Sequence, residues 1–440
     1  METKEFIQNK SMSFNWQITF KVVIIGAITI ALLIPKFMII ELIAERERTA
    51  DISKNEVMQK WSLAQTVRGP VLSIPYIERN FDSKEGQEIE SIKTLYVLPK
   101  SLNVKGEIVP QKLYRSIYET VVYESGLNFS GSFEKVDFDA LKVSEKDVLW
   151  EKAKIEVAIS DLRGIHEIGA FTWNGQSNTF LPGMENALIG TTGISLFLPR
   201  ITANAFPANF GFTLQLKGSE SLQFAPIGEI TEVELHSNWN DPGFEGSFLP
   251  TERNVDNAGF TARWRVLNFN RNFPQQWKNE EYRVTNADFG VKLFTVADHY
   301  QKNSRSAKYG ILVILFTFLS FFLNEIIAKI RVHPFQYILV GFAVLVFYLL
   351  LLSISEQLGF NLAYFISALA VITMIFAYSR TFLKSRTNSI VQTLILTFSF
   401  GFIFVLMQLE SFALLVGSIG LFFILGLTMF FTRKINWYGE

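Results

Sequence analysis

The chain contains no cysteine. Disulfide frameworks, thiolate nucleophiles and cysteine-ligated zinc are therefore excluded, and the lack is compatible with an extracytoplasmic domain. An excess of charge of either sign is also missing. The net charge is +0 and the pI about 6.9, which leaves no basic field to hold nucleic acid. Histidine is scarce, with His166, His236, His299 and His333 only. No Gly-x-Ser-x-Gly elbow, His-Glu-x-x-His pair, Walker loop or dinucleotide fingerprint occurs. His236 shares a strand face with Glu232 and Glu234, enough side chains for a metal ion. Exposed strand faces are routinely this polar, and that is the reading kept. The sequence thus offers no catalytic, cofactor-binding or metal residue, and a non-enzyme without cofactor is expected.

What is present in quantity is apolar, and it is concentrated in the last third. Five stretches of roughly 20 residues, each long enough to cross a bilayer, follow one another: Tyr309–Ala328, Phe335–Ile354, Gly359–Tyr378, Ser389–Leu409 and Phe412–Thr432. Their connections alternate in charge: Lys329 and Arg331, then Glu356, then Arg380, Lys384 and Arg386, then Glu410, then Arg433 and Lys434. Positive loops favour the cytoplasm, so the alternation also sets an orientation.

An earlier apolar run, Val22–Ile34 continued by Phe37–Ile40, follows Lys4, Lys10 and Lys21, and the polar stretch from Glu41 to Arg48 ends it. No small-x-small cleavage site follows, so a retained anchor is expected rather than a signal peptide. Lys36, near its outer end, is expected to snorkel towards the interface. Six spans place both termini in the cytoplasm and the intervening segment outside, in the periplasm if the envelope has two membranes.

That segment reads mainly as β. Phe210, Phe212, Leu214 and Leu216 alternate with polar or small residues. So do Ile155, Val157 and Ile159, then Thr231, Val233 and Leu235, then Ala262, Trp264 and Val266. Period 2 puts one set on a core face. Arg68-Gly69-Pro70, Asn174-Gly175, Leu181-Pro182-Gly183 and Asp241-Pro242-Gly243 read as turns. A helix is expected over about Ile39–Thr66. The stretch Glu119–Phe133 resembles Glu229–Phe248, which is either the trace of two related halves near 68–160 and 161–295 or chance similarity between strands rich in Thr, Val and Ser. The expected fold is an integral membrane α-helical bundle of six spans plus a large extracytoplasmic mainly-β, sandwich-like domain. The divisions are 1–40, 41–308, 309–432 and a cytoplasmic tail 433–440.

Charge is nearly absent inside the spans. Glu325 is the main exception, four residues before Lys329 at ion-pair spacing. The midplane is Leu, Phe, Val and Ile, with Ser320, Ser367 and Ser399 as mild polar spots, which disfavours ion or proton translocation. Elsewhere two groups of candidate interaction residues stand out. Asp161 and Arg163, followed by Gly164, are either a partner contact or a pair that pins a turn. Lys302, Arg305 and Lys308 lie at the mouth of the second span, within reach of lipid phosphate.

Several ordered motifs resemble the CreD family of bacterial inner-membrane proteins. They are Gly69-Pro70 with Ile74-Pro75, Asp161 with Arg163-Gly164-Ile165, Ser237-Asn238-Trp239 with Phe248-Leu249-Pro250, Ala297-Asp298-His299-Tyr300 with Arg305 and Lys308-Tyr309, and His333-Pro334-Phe335-Gln336-Tyr337 through Glu356. The resemblance runs nearly end to end. It implies an inner-membrane location, one span before and several after a large periplasmic domain, and a role in envelope integrity under stress regulation. It implies no catalytic residue. It draws attention to Asp161, Arg163, Asp298, Tyr300, Arg305 and Lys308 as contacts with membrane lipid or with periplasmic or inner-membrane proteins. The alternative is a transport or export component for a lipid or envelope substrate, which expects an apolar groove in the β domain. Oligomeric state is not legible.

Overall fold

A computed structural model describes residues 16–82, 87–185, 187–198, 201–284, 287–293, 299–328, 330–383, 385–409 and 412–433. Asp298 and the charges Lys4, Lys10, Lys329, Lys384, Glu410 and Lys434 lie outside these residues. The chain forms two compact units. One comprises Met1–Ala50 with Ala297–Glu440, the other Asp51–Val296.

The first helix, α1, runs Trp16–Trp61 without interruption, and the unit boundary falls within it. The sequence suggested a span ending near Glu41 and a separate helix from Ile39. The structure instead continues one helix through Pro35. Proline removes a single i to i−4 bond, and apolar surroundings offer the remaining backbone groups no partners outside the helix. Lys36 is 8% exposed, with its ammonium 5.7 Å from the Phe37 ring centre.

The unit Asp51–Val296 is mainly β and also holds the end of α1 and a short helix, α2 (Phe138–Leu141). In chain order its strands are β1 Gln65–Asp82, β2 Gln87–Val97, β3 Ser101–Arg115, β4 Tyr118–Phe133, β5 Lys154–Ile159, β6 Ile165–Ile168, β7 Phe171–Trp173, β8 Gln176–Asn178 and β9 Leu181–Pro182. They continue with β10 Gly193–Phe197, β11 Ala208–Ser219, β12 Ser221–Phe224, β13 Ile230–Ser237, β14 Pro242–Gly246, β15 Glu252–Asp256, β16 Gly259–Leu267, β17 Gln276–Lys278 and β18 Phe289–Leu293. They build two nine-stranded sheets. One has the order β14-β18-β12-β1-β5-β10-β9, with β2 on β1 and β17 on β2; the other has β15-β16-β13-β3-β4-β11-β7-β8, with β6 on β11.

Both sheets feed one apolar cluster, with Val71, Ile74, Val157 and Leu222 from the first and Val104, Leu127, Leu214 and Trp264 from the second. Each fully buried aliphatic or aromatic side chain contributes about 1.5–3 kcal/mol. The alternation in β11, β13 and β16 matches their burial, apolar side chains inward and polar ones outward. β5 differs, because Glu156 and Ala158 are buried along with Ile155, Val157 and Ile159. Glu156 accepts from Ser73 Oγ at 2.5 Å and from the Glu185 amide at 2.9 Å. Arg68-Gly69-Pro70 is not a turn but part of β1, where the register against β5 shifts between Arg68 and Val71. Strands from both suggested halves occur in each sheet, and the two similar stretches, β4 and β13–β14, lie so that β4 and β13 flank β3.

In the other unit, α3 (His299–Lys308) and α4 (Gly310–Ala328) are followed by α5 Pro334–Leu358, α6 Phe360–Leu383, α7 Arg386–Gln408 and α8 Ala413–Thr432. Helices α1, α5, α6 and α7 are long and apolar enough to cross a membrane. Helices α3 and α4, bent by 41°, make a fifth crossing if counted as one, and α8 carries a shorter apolar run, Leu415–Phe430. The motif His333-Pro334-Phe335-Gln336 is a helix start. His333 Nδ1 accepts from the Phe335 amide at 3.2 Å, Gln336 Oε1 accepts from the His333 amide at 2.9 Å, and Pro334 occupies the first turn, where its missing N–H costs nothing. Gly359, with φ of 74°, ends α5.

Candidate functional site

A dense polar cluster in the β unit surrounds Asp161, at the exit of β5. Its carboxylate is 8% exposed and receives five donors. Oδ1 accepts from Arg163 Nε at 2.9 Å and from the Arg163 amide at 3.1 Å. Oδ2 accepts from Arg163 Nη2 at 2.8 Å, the Leu63 amide at 2.9 Å and Ser62 Oγ at 3.2 Å. Arg163 Nη1 donates to the Gln59 carbonyl at 2.6 Å. That carbonyl belongs to the last turn of α1, which has no intrahelical donor left and carries the negative end of the helix dipole.

Gln65, fully buried, completes the socket. Its amide nitrogen donates to Ser62 Oγ at 2.8 Å, the Asp161 carbonyl at 2.9 Å and the Lys217 carbonyl at 3.0 Å, while its oxygen accepts from Ser160 Oγ at 3.1 Å. Ser219 Oγ donates to the Ser62 carbonyl. Lys217 Nζ lies 4.7 Å from the Trp61 ring centre. Gly164 closes the wall, since a Cβ there would stand 2.2 Å from the Lys217 carbonyl oxygen and 2.4 Å from Gln65 Nε2.

The hydrogen bonds from Arg163 hold the Asp161 carboxyl down at about 2, with the Leu63 amide acting in the same direction and burial opposing both. The Arg163 guanidinium is shifted up by the same pair. A carboxylate saturated in this way has no lone pair directed at a substrate proton. The arrangement is built to hold the end of α1 against the β strands.

The remaining candidates divide. Tyr300 is buried on α3 and donates to Glu356 Oε1 at 2.9 Å, while Asn303 donates to Ser355 Oγ at 2.7 Å, so α3 is fastened to the last turns of α5. Arg305 is half-buried and Lys308 exposed on the same short helix. Asp298 lies outside the described residues. Glu325 pairs with Lys21 of α1, 304 residues away, and the hydroxyl of Tyr337 donates to it at 3.3 Å. The i to i+4 spacing from Glu325 pointed to Lys329, and a tertiary partner could not be read from that local rule.

Sequence reasoning missed Ser62, Gln65 and Ser219, whose residue types are ordinary and whose partners are distant in the chain. It also missed Arg68, which makes a two-point pair with Asp288 at 2.8 and 2.6 Å. His236 lies 3.5 Å from Glu234, which also pairs with Arg263 at 3.3 Å. Among the described residues no group of three His, Cys, Asp or Glu has metal-holding geometry. A depression of about 940 Å³ on the solvent face of the second sheet is lined by polar and charged groups such as Lys105, Glu107, Glu124, His166 and Glu234.

The family model described as "Inner membrane protein CreD" matches residues 17–438. The chain belongs to the CreD family. The curated Inner membrane protein CreD of Escherichia coli (strain K12) is 34% identical over 422 residues, covering 94% of this chain and 92% of that protein. Family membership and the apolar helices make this a multi-pass protein of the inner membrane. Among solved structures, an M1 zinc metallopeptidase from Deinococcus radiodurans aligns at 10% identity over 39% of this chain and 38% of its own, with a TM-score of 0.18. A mutant of that peptidase aligns at 11% identity over the same shares, also with a TM-score of 0.18. Similarity at that level carries no argument about fold or chemistry.

Proposed function

We propose that this family member supports envelope integrity under stress without catalysing a reaction. Six spans hold it in the inner membrane, both termini are cytoplasmic, and the mainly-β, sandwich-like unit is periplasmic, presenting a surface to periplasmic or inner-membrane proteins, or to lipid. No resident cofactor is part of this reading. The observation that carries it is the Asp161 socket. The residues that the family resemblance singled out, Asp161, Arg163 and Gly164, are committed to fixing the end of α1 on the β strands, which is what a tethered binding unit needs and an active site does not.

The transport or export reading expects an apolar groove in the β unit. The depression on the solvent face of the second sheet mixes charged groups such as Lys105, Glu107 and Glu124 with Val109, Leu127 and Leu214, and is not a continuous apolar groove, so the integrity reading is kept. The test is deletion of the gene, followed by exposure to a panel of detergents and cell-wall-active agents. Increased sensitivity, restored by the wild-type chain and not by Asp161→Asn, is expected. Unchanged sensitivity across the panel would count against the proposal.

A further inference from the structure

A concave apolar groove of about 710 Å³ runs between α1 and α5. Pro35, Met38 and Leu42 form one wall, and Phe342, Val346 and Leu349 the other. Both helices are of membrane-crossing length and composition, so these walls face hydrocarbon. At one end the groove is bordered by Glu41, Glu45 and Arg48, all exposed and on one side of α1 at i, i+4 and i+7. Among the described residues none of the three forms an ion pair.

The rise of a helix fixes their depth. From Lys21, where α1 meets Glu325, to Arg48 is about 40 Å, and to Glu41 about 30 Å. The hydrocarbon core is about 30 Å thick and the whole bilayer about 40–45 Å. With Lys21 at one interface, the three charges run from the hydrocarbon boundary to the outer edge of the headgroup layer on the other side. The apolar walls then occupy the leaflet directly beneath.

We propose that this groove binds one aminophospholipid, with an acyl chain along the walls and the zwitterionic headgroup between the three charges. The guanidinium of Arg48 suits the phosphate, and the carboxylates of Glu41 and Glu45 suit the ammonium. Two carboxylates beside one guanidinium repel a purely anionic headgroup, and a choline headgroup has no N–H to donate. The inference rests on α1 and α5 crossing the bilayer, not on the role proposed for the β unit.

The test uses the full chain, purified in detergent and offered phosphatidylethanolamine or phosphatidylglycerol of matched acyl chains, with retained lipid read by native mass spectrometry. Charge-assisted hydrogen bonds of ordinary strength imply a preference for phosphatidylethanolamine of about tenfold. Val346→Trp, at an exposed wall position, is expected to reduce retention of both lipids. Glu41→Gln with Glu45→Gln, at exposed positions that leave packing intact, is expected to abolish the preference while retention of phosphatidylglycerol rises. Equal retention of the two lipids by the wild-type chain, or a preference unchanged in the double glutamine variant, overturns the proposal. So does a dimer that Val346→Trp dissociates without any retained lipid, which would assign the groove to a second copy.

Discussion

Lys21 and Glu325 are 304 residues apart in the chain and form an ion pair between α1 and α4. The pair is embedded in further contacts. Lys21 Nζ also donates to the Val332 carbonyl at 2.7 Å, and the Val332 amide donates to Glu325 Oε1 at 3.1 Å. The carboxylate thereby ties together α1, α4 and the segment that leads into α5. Breaking a largely buried pair by removing one partner costs about 3–5 kcal/mol, because the other charge is left uncompensated. Glu325→Ala is therefore expected to lower the thermal stability of the detergent-solubilised protein sharply. The double variant Lys21→Met with Glu325→Met, which buries no lone charge, is expected to recover much of the loss. Thermal unfolding of the three proteins side by side checks this, and a double variant as unstable as the single one would contradict it.

The Asp161 socket makes a prediction about acid. The carboxyl titrates near 3.8 in an unstructured chain and at about 2 in the folded one. Between those values the unfolded chain binds more protons, so stability falls as pH falls. The contribution of Asp161 is present in full above the unfolded value and is lost as pH drops towards about 2. A shift of this size corresponds to about 2 kcal/mol. The stability gap between wild type and Asp161→Asn is thus expected to stay constant from pH 8 to about 5 and to shrink below pH 4. Denaturant unfolding of both proteins across that range measures it. A gap that closes near neutral pH would point to a different titrating group.

Several of these relationships were legible in the sequence, and others could not have been. The strands β11, β13 and β16 each keep one face in water, so their alternation survives in the residue types. β5 is covered on both faces, and its buried charged residue, Glu156, is satisfied by Ser73 and by the Glu185 amide, which no local pattern announces. Asp161 and Arg163 are visible as a pair because they are two residues apart. Their further partners, Gln59, Ser62 and Leu63, lie about 100 residues earlier and are not visible. Gly69-Pro70 carries the residue types of a turn. Its glycine instead adopts φ of 149° inside β1, where a Cβ would meet the backbone of Val157 at 2.8 Å. Pro35 is the residue type of a helix break, because proline ends most helices in water, whereas a helix among apolar neighbours has nowhere else to place its hydrogen bonds.

Two glycines in the β unit are expected to respond unequally to one methyl group. At Gly164 the added Cβ would collide with the Lys217 carbonyl, the Gln65 side chain and Ser62 Oγ, at 2.2, 2.4 and 2.7 Å. Backbone oxygen cannot rotate away, so the end of α1 or the turn after β5 must shift. Gly164→Ala is expected to destabilise the protein by at least as much as Asp161→Asn and to speed hydrogen exchange at the Leu63 amide. At Gly126 nothing lies within 4 Å of the added atom, and Gly126→Ala is expected to change stability by less than about 0.5 kcal/mol. Equal effects at the two sites would mean that the socket tolerates movement.

The absence of cysteine turns the proposed orientation into a clean measurement, since any thiol introduced is the only one to label. Ser177 is exposed in the hairpin β7–β8, beyond the Asn174-Gly175 turn, whose residues have φ of 47° and 81°. Arg433 is exposed just after α8. With the β unit periplasmic and the C-terminus cytoplasmic, Ser177→Cys is expected to react with a membrane-impermeant maleimide once the outer membrane is opened. Arg433→Cys is expected to react only after the inner membrane is permeabilised as well. An odd number of crossings between the two positions is what this orientation demands, and α3–α4 (taken as one), α5, α6 and α7 reach it only if α8 also crosses. Labelling of both thiols from the same side would require an even number, and the first segment to drop from the set would be α8, whose apolar run is the shortest.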